Sequence, residues 1–177
     1  MAEAFSNSLT RAVGITTTAT GGSIGITTNT ITGISTAGIG VSDIVDNQNY
    51  IAGTVVESLG VGTAYVSTDS TNVTAVSSQS LNFLGPTTVL TASNKTILIG
   101  GTFANNTSST VNLTVETYDQ SGAVGVAICS KIPVPTGSSF VISDAGKVVL
   151  ESSDEIRVYC DSASALDVNL SLLTGVS

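Results

Sequence analysis

Between residues 165 and 172 apolar and polar side chains alternate without interruption: Leu166, Val168, Leu170 and Leu172 on the even positions, Asp167, Asn169 and Ser171 between them. A side-chain period of two places all four apolar groups on one face of an extended chain, as a half-buried antiparallel strand requires. Strand-prone runs of the same kind occur at 88–92, 96–103, 109–118, 124–131, 139–142, 147–150 and 155–160. The intervening turns are rich in Asn, Asp, Gly and Ser, at 105–107, 119–122, 135–137, 143–146 and 151–154, residues that tolerate positive φ or bond their own backbone. About eight such strands predict an antiparallel two-sheet sandwich of jelly-roll type over residues 86–177. The Gly100-Gly101 pair inside a strand predicts a bulge or a close backbone approach.

Upstream of Gly85-Pro86 the pattern changes. Short β-prone pieces at 23–27, 30–33, 38–41, 44–45, 51–59, 64–67, 73–76 and 81–84 alternate with glycine-rich turns, and Gly60-Val61-Gly62 reads as a hairpin connection. This predicts a small, glycine-rich, barrel-like β module over residues 21–85, so the chain as a whole is all-β. Residues 1–20 read as an N-terminal arm. Phe5, Leu9 and Val13 recur every four positions, the spacing of one helix face, so the arm is expected either to be disordered or to dock on another subunit as a short amphipathic helical turn.

Composition restricts the chemistry. Five Lys and Arg against thirteen acids give a net charge of −8, so no basic stripe is available to neutralise phosphates and nucleic-acid binding is not expected. Gly, Thr, Ser and Asn interrupt every apolar run before it reaches the length of a membrane span. The opening residues lack a positive segment followed by an apolar one, so folding in the cytoplasm of the producing cell is expected. The absence of histidine removes the common Ser/His/Asp, Cys/His and zinc arrangements. Ser130 and Lys131 are neighbours on a strand and point to opposite faces. Asp43 with Asp46, and Asp154 with Glu155, read as solvated turn acids in a chain without Trp. Oxygens at Asp69 and Asn72, or at Ser143 and Asp144, lack the spacing of a calcium loop. No catalytic residue, metal site or cofactor is therefore predicted, and the chain is not expected to be an enzyme. Cys129 and Cys160 lie in apolar strand patterns and read as buried thiols. The Asn-X-Ser/Thr triplets follow from the Asn/Thr-rich composition. Pro133 and Pro135 predict an extended, non-pairing segment, either a contact loop or a plain crossing between sheets. With only 10% charged residues against 41% hydrophobic ones, the chain is expected to cover surface by self-association.

Four tracts, 96–105, 109–116, 131–140 and 147–157, together resemble small β-sandwich virion structural proteins of tailed bacteriophages, of the marine or cyanophage type. The shared pattern is an apolar strand, an Ala-Asn-Thr turn, a strand, Pro-X-Gly-Ser, a strand, and Leu-X-X-Gly/Ser-Asp-X-Ile, here Leu150-Glu-Ser-Ser-Asp-Glu-Ile156. Upstream, 41–46, 51–59 and 64–67 resemble a β module of phage tail and surface proteins, with Ala52 where that module carries proline. The resemblance implies a capsid decoration or cement subunit, or else a neck, collar or tail component, located in the virion after assembly in the host cytoplasm. Implied partners are further copies of the chain, as a trimer or hexamer, and major capsid or neck proteins. Phe5, Leu9, Val13, Pro133 and Pro135 are the expected assembly contacts. A glycan-binding receptor or adhesin module is the alternative that a β-sandwich also supports.

Overall fold

The computed structural model describes residues 3–14, 17–143 and 147–176, and among these every regular element is a β-strand. One sheet orders β1 (Ala4–Val13), β15 (Leu166–Thr174), β9 (Thr96–Asn105) and β12 (Ser139–Ile142), with β13 (Val148–Leu150) also pairing β9. A second orders β11 (Val124–Val134), β10 (Val111–Asp119), β14 (Glu155–Cys160) and β8 (Thr87–Thr91). A third orders β4 (Ile44–Asp46), β7 (Val76–Leu84), β2 (Thr17–Ile24), β3 (Thr30–Thr32), β6 (Thr63–Val66) and β5 (Val56–Gly60). All pairings are antiparallel.

The first two sheets form one compact unit, built from β1, Thr87–Cys160 and the last strand, around a shared apolar core. Leu166, Val168, Leu170 and Leu172 all enter it, facing residues such as Leu113, Val115, Ile156 and Val158 from the other sheet. Each fully buried side chain of this size contributes about 2 kcal/mol, which is why unbroken alternation is so strong a determinant. In chain order within this unit, counting β12 and not β13, the sheets read first-eighth-third-sixth and fifth-fourth-seventh-second. β9 skips Ile99 against β15, between Ser171↔Gly100 and Leu172↔Leu98. Beside this bulge a Cβ on Gly100 would sit 2.9 Å from the Ile142 carbonyl oxygen, and one on Gly101 2.8 Å from Leu170 Cδ2.

The described residues of the 1–20 stretch are paired within the chain, and not as a helical turn. Residues 4–13 are β1, laid along β15 from Ala4↔Thr174 to Val13↔Leu166, while residues 17–24 are β2 in the other unit. The spacing of four in Phe5, Leu9 and Val13 is an even number, so it fits one face of a strand as well as one face of a helix. Residues 1, 2, 15 and 16, and 144–146 of the 143–146 turn, including Asp144 of the candidate calcium pair, lie outside the described residues.

The second unit comprises the described residues 17–86 together with Asp161–Ala163, with its own core of Ile24, Ile31, Val45, Val56, Val66, Leu81 and Phe83 among others. Its strands are short. Ile44 bridges Val55, and the hydrogen bonds Val45 N to Thr54 O (2.8 Å) and Val56 N to Asp43 O (2.9 Å) join the two ends of its sheet. Gly62 takes φ 68° in the β5–β6 hairpin, a conformation that glycine adopts without strain. Cys129 and Cys160 form no disulfide; the Cys160 thiol, fully buried, donates to Val13 O at 3.4 Å.

Candidate assembly surface

β1 is built inside out. Ser6, Ser8 and Thr10 pair with Leu172, Leu170 and Val168, the core-facing residues of β15, so these three lie on the sheet face that turns toward the sandwich interior, Ser8 and Thr10 half-buried and Ser6 exposed at the margin. Ser8 Oγ settles its hydrogen bond there by donating to Val89 O at 2.8 Å. Phe5 and Leu9 consequently point out, 81% and 72% exposed. Between Thr10 and Val13 the register shifts, with Ala12 at φ 55°. The extra residue turns Val13 inward, where it is 1% exposed.

The outward face of this sheet carries a continuous apolar row. Phe5 lies opposite Leu173, Leu173 opposite Ile97, and Ile97 opposite Val149. A second row runs from Leu9 through Asn169 and Thr102 to Val141. Val141 and Val149 are each 56% exposed. Arg11 and Asp167 sit at one margin, 3.8 Å apart. Hydrogen bonds from Ala12 N and from the Asn106 side chain hold the Asp167 carboxyl below its ordinary range, with a further contribution from Arg11. Large apolar groups in cross-strand contact and exposed together are the mark of a surface that meets a partner.

The five expected contact residues therefore divide. Phe5 and Leu9 share this face, Val13 belongs to the core, and Pro133 and Pro135 lie elsewhere. Contrary to the expectation of a non-pairing segment, Pro133 sits within β11 opposite Asn112. An edge strand accommodates it because proline's missing N–H leaves only the solvent side unbonded. Pro135 begins the crossing to β12, where its carbonyl accepts from Ser138 Oγ at 2.7 Å. Asn105, buried, anchors this crossing by donating to Val134 O and Ser109 O. Ile97, Val141, Val149 and Leu173 were not singled out from sequence. Their signal is apolar residues at consecutive positions, as in Leu172-Leu173 and Val148-Val149, where one face alone would need only every second one.

The outer face of the other sheet is polar and self-satisfied. The Arg157 guanidinium lies 3.3 Å from the Tyr118 ring centroid and its Nε 2.7 Å from Glu155 Oε2. Thr88 Oγ1 donates to the same Glu155 oxygen, and Tyr159 OH to Glu116 Oε1 at 2.7 Å. Among the described residues no group of His, Cys, Asp and Glu is placed to hold a metal ion. Neither protein-family models, nor curated proteins, nor solved structures gave a match to this chain.

Proposed function

We propose that the chain is a virion structural protein of a tailed bacteriophage, a capsid decoration or cement subunit that acts through protein contacts rather than catalysis. The observation that carries the reading is the inverted polarity of β1, which keeps Phe5 and Leu9 in solvent while serines and a threonine face the interior. Burial of such a row against a partner recovers about 25 cal/mol per Å² of apolar surface. The strand order of the sandwich supports a jelly roll, an architecture of viral capsid proteins, and the joined ends of the 17–86 sheet support a barrel-like module. The partners in this reading are further copies of the chain and the major capsid protein; a neck, collar or tail position uses the same surface.

The test is localisation. Mass spectrometry of gradient-purified particles from cells producing the chain is expected to recover it at a fixed copy number, and a Phe5→Asp, Leu9→Asp variant is expected to fold but stay in the soluble fraction. A protein abundant in the lysate and missing from particles overturns the reading. The Tyr118, Tyr159, Glu116 and Arg157 surface favours the second reading, a glycan-binding module. Glycan-array binding lost in Tyr118→Ala would move the assignment there.

A further inference from the structure

We propose that two copies of this chain pair antiparallel through the exposed edge of β11, with Val126 of each copy opposite Val126 of the other. This deepens the self-association part of the proposed function and rests on it.

β11 is the outermost strand of its sheet, bonded on one side by β10. Its first half, Val124-Gly125-Val126-Ala127, is exposed on both faces, with Val124 53% and Val126 61% exposed. Proteins usually guard such an edge with charge, proline or bulges. In β11 those devices are confined to the second half. The register against β10 slips between Leu113 and Val115 and again between Val115 and Glu116, Lys131 takes φ 51°, and Pro133 follows. From Val124 to Ala127 the ladder is regular, opposite Asp119 to Glu116, and there is no charge until Lys131.

The choice of a second copy rests on the placement of charge. The Val126 carbonyl accepts the Thr117 hydroxyl at 3.2 Å and so faces β10, which directs the backbone groups of Gly125 and Ala127 to the free edge. Two copies related by a two-fold axis through Val126 satisfy those groups reciprocally, Gly125 with Ala127 in both directions. The same register sets Val124 opposite Ile128, and beyond it the strand runs Lys131 of each copy toward the hairpin turn of the other. Asp119 ends β10 where that turn begins. Its carboxylate, held by Ser121 Oγ (2.7 Å), Ser121 N (2.8 Å) and Gly122 N (3.0 Å), stays ionised. Among the described residues Lys131 has no ion pair within its own chain. Antiparallel pairing thus brings each lysine to a carboxylate, whereas parallel pairing would set lysine beside lysine. The contact is isologous and closes on itself.

The experiment is sedimentation equilibrium of the full chain and of Val126→Lys and Val126→Glu, each checked by circular dichroism. The parent is expected to self-associate, and each charged variant to dissociate about tenfold or more readily, because like charges then face each other across the axis. Mixing the two variants is expected to restore association to the parent level. Lys131→Glu is expected to weaken association several-fold, most at low salt. Unchanged association in Val126→Lys overturns this interface and leaves self-association through another surface intact. A mixture that stays dissociated overturns the two-fold register. A parent that is monomeric at about 100 µM overturns both this interface and the oligomeric part of the proposed function.

Discussion

The sandwich and the 17–86 module bury different chemistry with similar strand-and-turn vocabulary. The sandwich core is a nearly unbroken set of aliphatic side chains from long alternating strands, with Thr96 and Asn105 as its buried polar residues. The module has strands of three to five residues beside two longer ones, and it buries Asp43, Asn49, Thr54 and Ser70. Those four tie loops together: Gly40 N donates to Asp43 Oδ2 at 2.8 Å, Asn49 Nδ2 donates to Asn47 Oδ1 at 2.6 Å, Thr54 Oγ1 meets Thr68 Oγ1 at 2.6 Å, and Ser70 Oγ donates to Gly25 O at 2.8 Å. Burial of apolar area tolerates small shifts in position. A buried hydrogen-bond network does not, since a lost partner leaves its mate desolvated. The two regions should therefore fail under different insults.

The largest effect is expected from Val168→Asp, which places a charge among Leu113, Phe103 and their neighbours. A cost of several kcal/mol, roughly the whole stability of an ordinary domain, should abolish amide protection in the sandwich while the module's amides keep theirs in hydrogen exchange. Loss of protection in both at once would show that the two cores are not energetically separate. Next, Asp43→Ala should cost the module about 2 kcal/mol and leave the sandwich's exchange unchanged. Val13→Ala should cost the sandwich about 2 kcal/mol in a thermal melt; an unaltered melt would return β1 to the status of an appendage. Tyr50→Phe is expected to stabilise the module by up to about 1 kcal/mol. The Tyr50 hydroxyl is buried without a hydrogen-bond partner among the described residues, and burial, with Asp69 nearby, pushes its pKa up to about 12.

The smallest and most discriminating effect is the sign of the acid response. Burial lifts the Asp43 carboxyl above its ordinary range, against the lowering influence of Gly40 N–H. The folded module then holds the proton more tightly than the unfolded chain. Its contribution is fully present below the unfolded pKa and is lost as pH rises through the folded one. Asp119 and Asp167 are shifted down by hydrogen bonds, chiefly from Ser121 and Ala12, so their contribution is present above the unfolded value and lost as pH falls through the folded one. Acidification from about pH 6 to about pH 3 should therefore raise the module's protection relative to the sandwich's, after correction for intrinsic exchange. Asp43→Asn should remove the module's share.

Strands were legible where one face is buried and the other wet. β15 and β14 have that pattern, and their buried residues are the alternating ones. β1 was not legible because its apolar residues face solvent and its serines face in, so the pattern that marks a core strand is inverted. Its bulge at Ala12 then separates Val13 from Phe5 and Leu9, which no even spacing reveals. Half of the candidate surface was hidden for a related reason. Ile97, Val149 and Leu173 sit next to core residues in sequence, and only the sheet register shows that they line up with Phe5. The pairing of β4 with 54–56 was equally out of reach, since it rests on backbone groups rather than side chains.

The pairing of the first strand with the last has a consequence during synthesis. Ala4 leaves the ribosome long before Thr174, its partner, has been made. Residues 17–86 can complete their sheet while later residues are still being translated, but the sandwich cannot close until β15 has been made. For that interval Phe5 and Leu9 travel on a nascent chain with nothing to pair with. A cell that stalls or truncates translation before β15 would release a finished module joined to an open, aggregation-prone half-sandwich.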